Sequence, residues 1–186
     1  IFSRLKKGAE PLRDNEIRKA VYHSEKKKKI DEFVNEQIKS NKDEYSDIFS
    51  DTKIKRYVDY GVFYKSIAFY LSTDEEDLVI KNYNSRPREL INNILSSFQK
   101  NTPTETRRKV SEIPLDAILK TTLEILSYFK GKNSESFLEC CIKIAVDKPT
   151  EFLRIREEIK NDSEINESLE KSKSTTSKVN SRVKRV

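Results

Sequence analysis

Between residues 54 and 71 the chain reads IKRYVDYGVFYKSIAFYL, a run too apolar to leave a solvent face of any width. At the helical period, Tyr57, Val58, Phe63, Tyr64, Ile67, Ala68, Tyr70 and Leu71 cover most of the circumference of one helix. A helix that is apolar all round is stable only when others enclose it. The expected fold is therefore mainly α, a multi-helix bundle with this segment at its centre, touched by the stripes at 90–98 and 115–129. Its tyrosine hydroxyls need partners, which places them near the edge of the core.

The surrounding segments carry one apolar stripe each. Ile30, Phe33, Val34 and Ile38 share a face of a helix that begins near Ser24. Leu90, Ile91, Ile94, Leu95 and Phe98 share another, with Ser85 as the expected N-cap and Pro87 in the first turn. Pro114 breaks a helical pattern and opens a new helix over 115–129, with Leu115, Ile118, Leu119, Leu126 and Phe129 inward and Gly131 as its stop. Helices follow at 135–146 and at 150–160, the latter entered by Pro149, then a turn at 161–163 and a short helix over 165–169. The run KSKSTTS reads as a loop, after which Val179, Val183 and Val186 recur at helical spacing. Residues 101–109, NTPTETRRK, read as a linker dividing 1–100 from 101–186. No internal repeat is found and no segment alternates convincingly as a strand. Three Gly and five Pro are too few for the turns of an all-β chain.

Composition narrows the function classes. With 35% hydrophobic and 37% charged residues the chain can bury a modest core. No run of about 18 apolar residues is present, so no membrane span is expected and the expected location is cytoplasmic. Cys140 and Cys141 are adjacent and do not bridge each other, so buried thiols in a reducing compartment are expected. One His and two Cys cannot supply an ordinary zinc site, and no metal site is expected. The lone His23 has no Ser or Cys partner arrangement that would make it a catalytic base. The chain opens at Ile1 and contains no Met, which reads as a piece of a longer protein.

Charge is unevenly placed. Residues 1–29 and 171–186 each carry +6, which leaves −6 for the body between them. Lys26, Lys27, Lys28 and Lys29 fall in the first turns of a helix, where they oppose the macrodipole at about a few tenths of a kcal/mol each. That misfit favours an external anionic partner. Lys26, Lys27, Lys178, Arg182, Lys184 and Arg185 are the candidate nucleic-acid contacts. The competing reading is that both ends are solvated helix surfaces, or that the acids of the body fold against them.

The opening stretch, IFSRLKKGAEPLRDNEIRKAVY, reads as a helix end, a stop at Gly8, a turn through Pro11 and a second helix from about Asp14 to Tyr22. Arg4, Lys6 and Lys7 would then stand beside the exposed N–H groups of the second helix, an arrangement suited to an anion. Glu16 and Arg18 are too close in sequence to face each other, so Glu16 is expected to meet a group elsewhere.

This stretch resembles the motif Phe-x-Arg-Leu-Asn-x-Gly-Gly, then Leu, then Glu-Ile-Arg-x-Ala-hydrophobic, of the N-terminal-type domain of the GmrSD family of prokaryotic DNA-restriction proteins. Phe2, Arg4, Leu5, Gly8, Leu12, Glu16, Ile17, Arg18 and Ala20 fall on it, while Lys6 and Ala9 stand where the family has Asn and the second Gly. KRYVDYGVFYKSIAFYL is similar to the family's following helix, and STTSKVNSRVKRV to a closing basic helix of members without a separate nuclease domain. The resemblance implies the C-terminal helical part of a protein with a ParB- and sulfiredoxin-like core, truncated at its N-terminus. The family's Asp-Gly-Gln-Arg type motif has no counterpart, since no Asp-Gly pair occurs.

What the resemblance implies for function is a defence protein coupling nucleotide binding to recognition or restriction of foreign or modified DNA. Arg4, Lys7, Gly8, Glu16 and Arg18 become the nucleotide- and phosphate-binding candidates, with Arg4 on phosphate and Glu16 and Arg18 bracing the pocket. The full-length parent would use an NTP with Mg, and a partner nuclease or a homo-oligomer is implied. The fragment alone is expected to be inactive, as its only glycines stand at 8, 61 and 131 and form no phosphate loop. Against this stand a non-enzymatic helical module that binds nucleic acid or protein through its basic ends, and a toxin–antitoxin or partition accessory. The bland reading of Arg4 and Arg18 is a set of contacts that lock helices together.

Overall fold

Local signals place most of the helix ends. The structure, a computed structural model, describes residues 13–74, 76–99, 112–131, 133–170 and 173–186. Ser24 Oγ accepts from the Lys27 amide at 3.1 Å and caps α2 (Glu25–Ser40), which follows α1 (Asp14–Val21). Two short helices, α3 (Lys42–Ile48) and α4 (Asp51–Lys55), lead to the central α5 (Val58–Ser72). Prolines begin α6 (Pro87–Ser97) and α9 (Pro149–Asn161), and Pro114 stands just before α7 (Leu115–Tyr128). Gly131, at φ 128°, takes the chain away from α7 in a conformation that L side chains rarely adopt. After α8 (Ser134–Asp147) and α9 come α10 (Ser163–Ser168) and the closing α11 (Thr176–Arg185).

The protein is a mainly α multi-helix bundle. α5 is its most deeply set element, with Phe63, Ile67, Ala68 and Phe69 at 0% exposure. It packs against α6, α7 and α8, and α8 in turn carries α7, α9 and α11. The apolar core is continuous across these contacts, so elements on both sides of residues 101–109 share it. The expected enclosure of the 54–71 stretch by the 90–98 and 115–129 stripes is what is observed, with α8 as a further wall.

Two details differ from the sequence expectation. The 54–71 stretch is not one helix: α4 ends at Lys55, and Tyr57 is left-handed (φ 53°) before α5 starts. Such a conformation costs a non-glycine residue roughly 1–2 kcal/mol. The Tyr57 ring packs edge-on to Tyr60 at 5.8 Å and lies under the Lys19 ammonium at 4.4 Å, contacts that hold it there. Ser85 is not the cap of its own helix either; Arg86 takes that place and Ser85 sits at φ 66°.

A two-residue antiparallel ribbon also forms. β1 (Thr73–Asp74) pairs with β2 (Val79–Ile80), Thr73 opposite Ile80 and Asp74 opposite Val79. Asp74 Oδ1 accepts from the amides of Glu76 and Asp77 and so builds the turn. Two residues per strand are too few to show alternation in the sequence. The ribbon packs on α11, where Asn180 Oδ1 accepts from the Ile80 amide at 2.9 Å.

Candidate nucleic-acid interface

Of the nucleotide-site candidates, Arg4, Lys7 and Gly8 lie outside the described residues. The other two are bound elsewhere. Glu16 Oε2 accepts from the Arg13 amide at 2.7 Å, reaching back over the first turn of α1. Arg18 is buried: its Nε donates to Asn92 Oδ1 at 2.9 Å and its Nη1 to Asn15 Oδ1 at 2.8 Å. Beside it Arg88 pairs with Asp14 at 3.0 Å. Burial lowers the Arg18 pKa. Asn15 itself fits only because α5 has Gly61 at that point, where a Cβ would collide with the Asn15 amide. Glu16 caps the start of α1 and Arg18 clamps α1 to α6, so the described residues hold no assembled nucleotide pocket.

The lysine run at the start of α2 divides in two. Lys27 is buried with its Nζ 2.7 Å from Asp31, so it serves α2 rather than a ligand. Lys28 is exposed and stands 3.8 Å from Glu32, a pair of little energetic weight. Lys26 is half-buried and Lys29 exposed, and neither has an ion-pair partner among the described residues. Burial lowers the Lys26 pKa and the neighbouring Lys29 charge lowers it further. Two clefts open beside them. One of about 750 Å³ is lined by His23, Ser24, Lys26, Lys28 and Phe98, with Glu25 and Asp31 also on its wall. The other, about 450 Å³, lies between Lys26 and Lys29 and the start of α7 at Pro114, with Glu25 and Asp116 on it. His23 is exposed at this edge.

The basic C-terminal helix is arranged otherwise. Arg182 is fully buried, which corrects its place among the surface contacts. Its Nη2 lies 3.0 Å from Glu139 Oε2 and 3.0 Å from the Lys173 carbonyl, because Val179, Arg182 and Val183 share the face of α11 that meets α8. Arg185 spans Asp162 and Glu164, each at 2.7 Å. Its hydrogen bonds hold the Asp162 carboxyl below the usual range. Lys178 is half-buried and Lys184 is exposed on the rim of a cleft. The body's acids thus neutralise much of this end.

Two buried polar clusters had no clear signal in the sequence. Asp59, 0% exposed in the first turn of α5, accepts from the Tyr45 hydroxyl at 2.8 Å, and burial raises its pKa. Lys19 stands over Tyr60 at 4.1 Å, while Tyr60 and Tyr64 are buried and their hydroxyl pKa values pushed up by that burial. These tyrosines are core residues and offer no face to a base. In the second cluster, Lys65 lies 2.8 Å from Glu139 and 3.1 Å from Glu135. Burial works to lower the Lys65 pKa, but the two carboxylates outweigh it and hold the ammonium above its ordinary value. The only hint for either cluster was a charged residue inside an apolar run. Among the described residues no group of three His, Cys, Asp or Glu could hold a metal ion.

No protein-family model, no curated protein and no solved structure matches this chain. Among the described residues no helix is long and apolar enough to cross a membrane.

Proposed function

We propose that the chain is the helical, DNA-contacting part of a prokaryotic defence protein of the GmrSD type, which couples nucleotide binding to the recognition of foreign DNA. The observation that carries the DNA contact is the pair Lys26 and Lys29, two ammonium groups without acid partners among the described residues, whose mutual repulsion is left standing where Lys26 borders both clefts and Lys29 one of them. A phosphate backbone is the kind of partner that relieves such repulsion, and Lys28 lies within the same run. The defence setting and the nucleotide rest on the resemblance of residues 1–22, whose phosphate contacts Arg4, Lys7 and Gly8 precede the described residues. The described helices supply support: Arg18 fixes the segment to α6, and α11 closes the bundle.

Duplex DNA binding, followed by fluorescence anisotropy across about 50–200 mM salt, tests the proposal. Each phosphate contact contributes about −0.9 to the log–log slope. The pair Lys26→Gln and Lys29→Gln is therefore expected to flatten the slope by about 1.8 and to weaken binding at low salt. An unchanged slope and affinity in that variant would falsify the assignment of DNA to this surface.

A further inference from the structure

Cys140 and Cys141 are consecutive residues of α8, and their Sγ atoms lie 3.8 Å apart. Both are free thiols, 4% and 0% exposed. Consecutive Cα atoms across a trans peptide are about 3.8 Å apart, whereas a disulfide needs about 4.4–6.8 Å. The helix therefore keeps the two sulfurs adjacent and prevents them from bonding to each other. A single bridging atom meets no such obstacle. Two bonds of roughly the 2.3 Å length of a zinc–thiolate bond span up to about 4.6 Å, so the observed gap is within reach of one thiophilic centre.

A separate cleft of about 400 Å³ between the ribbon, α8 and α11 reaches the pair from one side, with Cys140 on its wall and Cys141 behind it at 0% exposure. Leu78, Ile144 and Val183 give that wall an apolar surface, and Leu78 is 44% exposed. The carboxylate of Asp147 is occupied by Lys143 at 2.7 Å and by the Tyr70 hydroxyl at 2.8 Å. The cleft thus joins Cys140, the outer thiol of the pair, to apolar side chains that stand among the charged residues of its rim, Lys148, Glu151 and Lys184 included.

We propose that Cys140 and Cys141 form a dithiol site for trivalent organoarsenicals, with the organic substituent lying in the cleft on Leu78, Ile144 and Val183. Reaction with an arsenoxide forms two S–As bonds and breaks the As–O bonding. The two thiol protons leave with that oxygen as one water, and arsenic remains trivalent, so no oxidant or reductant is needed. Cys140 gives up its 3.3 Å hydrogen bond to the Phe137 carbonyl in doing so.

The test uses the folded chain and phenylarsine oxide, read by intact mass and thiol titration. The expected result is one adduct per chain with loss of both titratable thiols, reversed by ethane-1,2-dithiol but not by a monothiol. Cys140→Ser, at the cleft side of the pair, should abolish the monothiol-resistant adduct while its circular dichroism stays that of the parent. The proposal is overturned if the folded chain takes up no arsenical while the chain unfolded in guanidinium does. It is equally overturned if a monothiol strips the adduct from the folded chain. Either result would make the two thiols core filling only.

Discussion

Arg182 and Glu139 form an ion pair 3.0 Å apart with 0% and 3% of their side chains exposed, and Lys65 reaches the same carboxylate from α5. One carboxylate of α8 thereby ties the closing helix to the centre of the bundle. Removing Arg182 leaves Glu139 to Lys65 alone and takes the donor from the Ser168 and Lys173 carbonyls, a loss of buried hydrogen bonding that costs about 1–3 kcal/mol. Arg182→Ala is therefore expected to lower stability by about that amount in chemical denaturation. A loss under about 1 kcal/mol, the scale of an exposed pair, would show that the contact has no structural weight.

Ser85 acts on a helix remote from it in sequence. Its Oγ accepts from the Thr176 amide at 2.8 Å, in the first turn of α11, and lies 2.9 Å from the Thr176 hydroxyl. Replacing Ser85 by Ala leaves that amide without its side-chain acceptor, a loss of the size of an N-cap, about 0.5–2 kcal/mol. Hydrogen exchange should quicken at the start of α11 and not at the start of α6. The reverse pattern would return Ser85 to its own helix.

Asp59 gives a pH dependence opposite to that of a salt-bridged carboxylate. Burial raises its folded pKa above the ordinary 3.8, so the folded chain holds this proton more tightly than the unfolded one. Its stabilising contribution is present below the unfolded pKa and is lost as pH rises through the folded pKa. Asp59→Asn keeps an acceptor for the Tyr45 hydroxyl and removes the charge. The variant should gain stability relative to the parent as pH is raised from about 4 to 7. Unfolding curves whose difference stays constant over that range would contradict this.

The buried phenols set the alkaline limit. Tyr83 donates to the Ser174 carbonyl at 2.6 Å, and burial pushes its pKa up to about 12. The same cause raises Tyr45, Tyr60 and Tyr64. Their folded pKa values exceed the unfolded value near 10, so this stability is complete below about pH 10 and falls as pH rises through the folded values. Absorbance titration should find these phenols ionising only together with unfolding. A smooth titration of all eight tyrosines near pH 10 on the folded chain would refute the burial argument.

Lys184 separates the two basic ends. It is exposed and can be changed without disturbing Arg182. Lys184→Gln should leave the salt slope of DNA binding unchanged, against a flattening of about 0.9 for each of Lys26 and Lys29. A comparable flattening at Lys184 would move the interface to α11.

The sequence by itself determined the mainly α fold, the central place of the 54–71 stretch and most helix ends. Those properties rest on apolar periodicity and on residues such as Ser24, Pro87 and Pro149, whose effect is confined to a turn or two of chain. Only the tertiary structure decided what the charged residues do. Lys27 and Lys28 read alike in the sequence, yet one is buried on Asp31 and the other faces solvent. Arg182 and Lys184 read as neighbours on a basic helix, yet one is enclosed by Glu139 and Ser168 and the other lies at a cleft. Asp59, set in an apolar run, became the buried acceptor of Tyr45. The reason is range. A cap or a proline acts through the backbone beside it, whereas the fate of a charge depends on which distant carboxylate, hydroxyl or apolar wall the folded chain brings within about 3–4 Å of it.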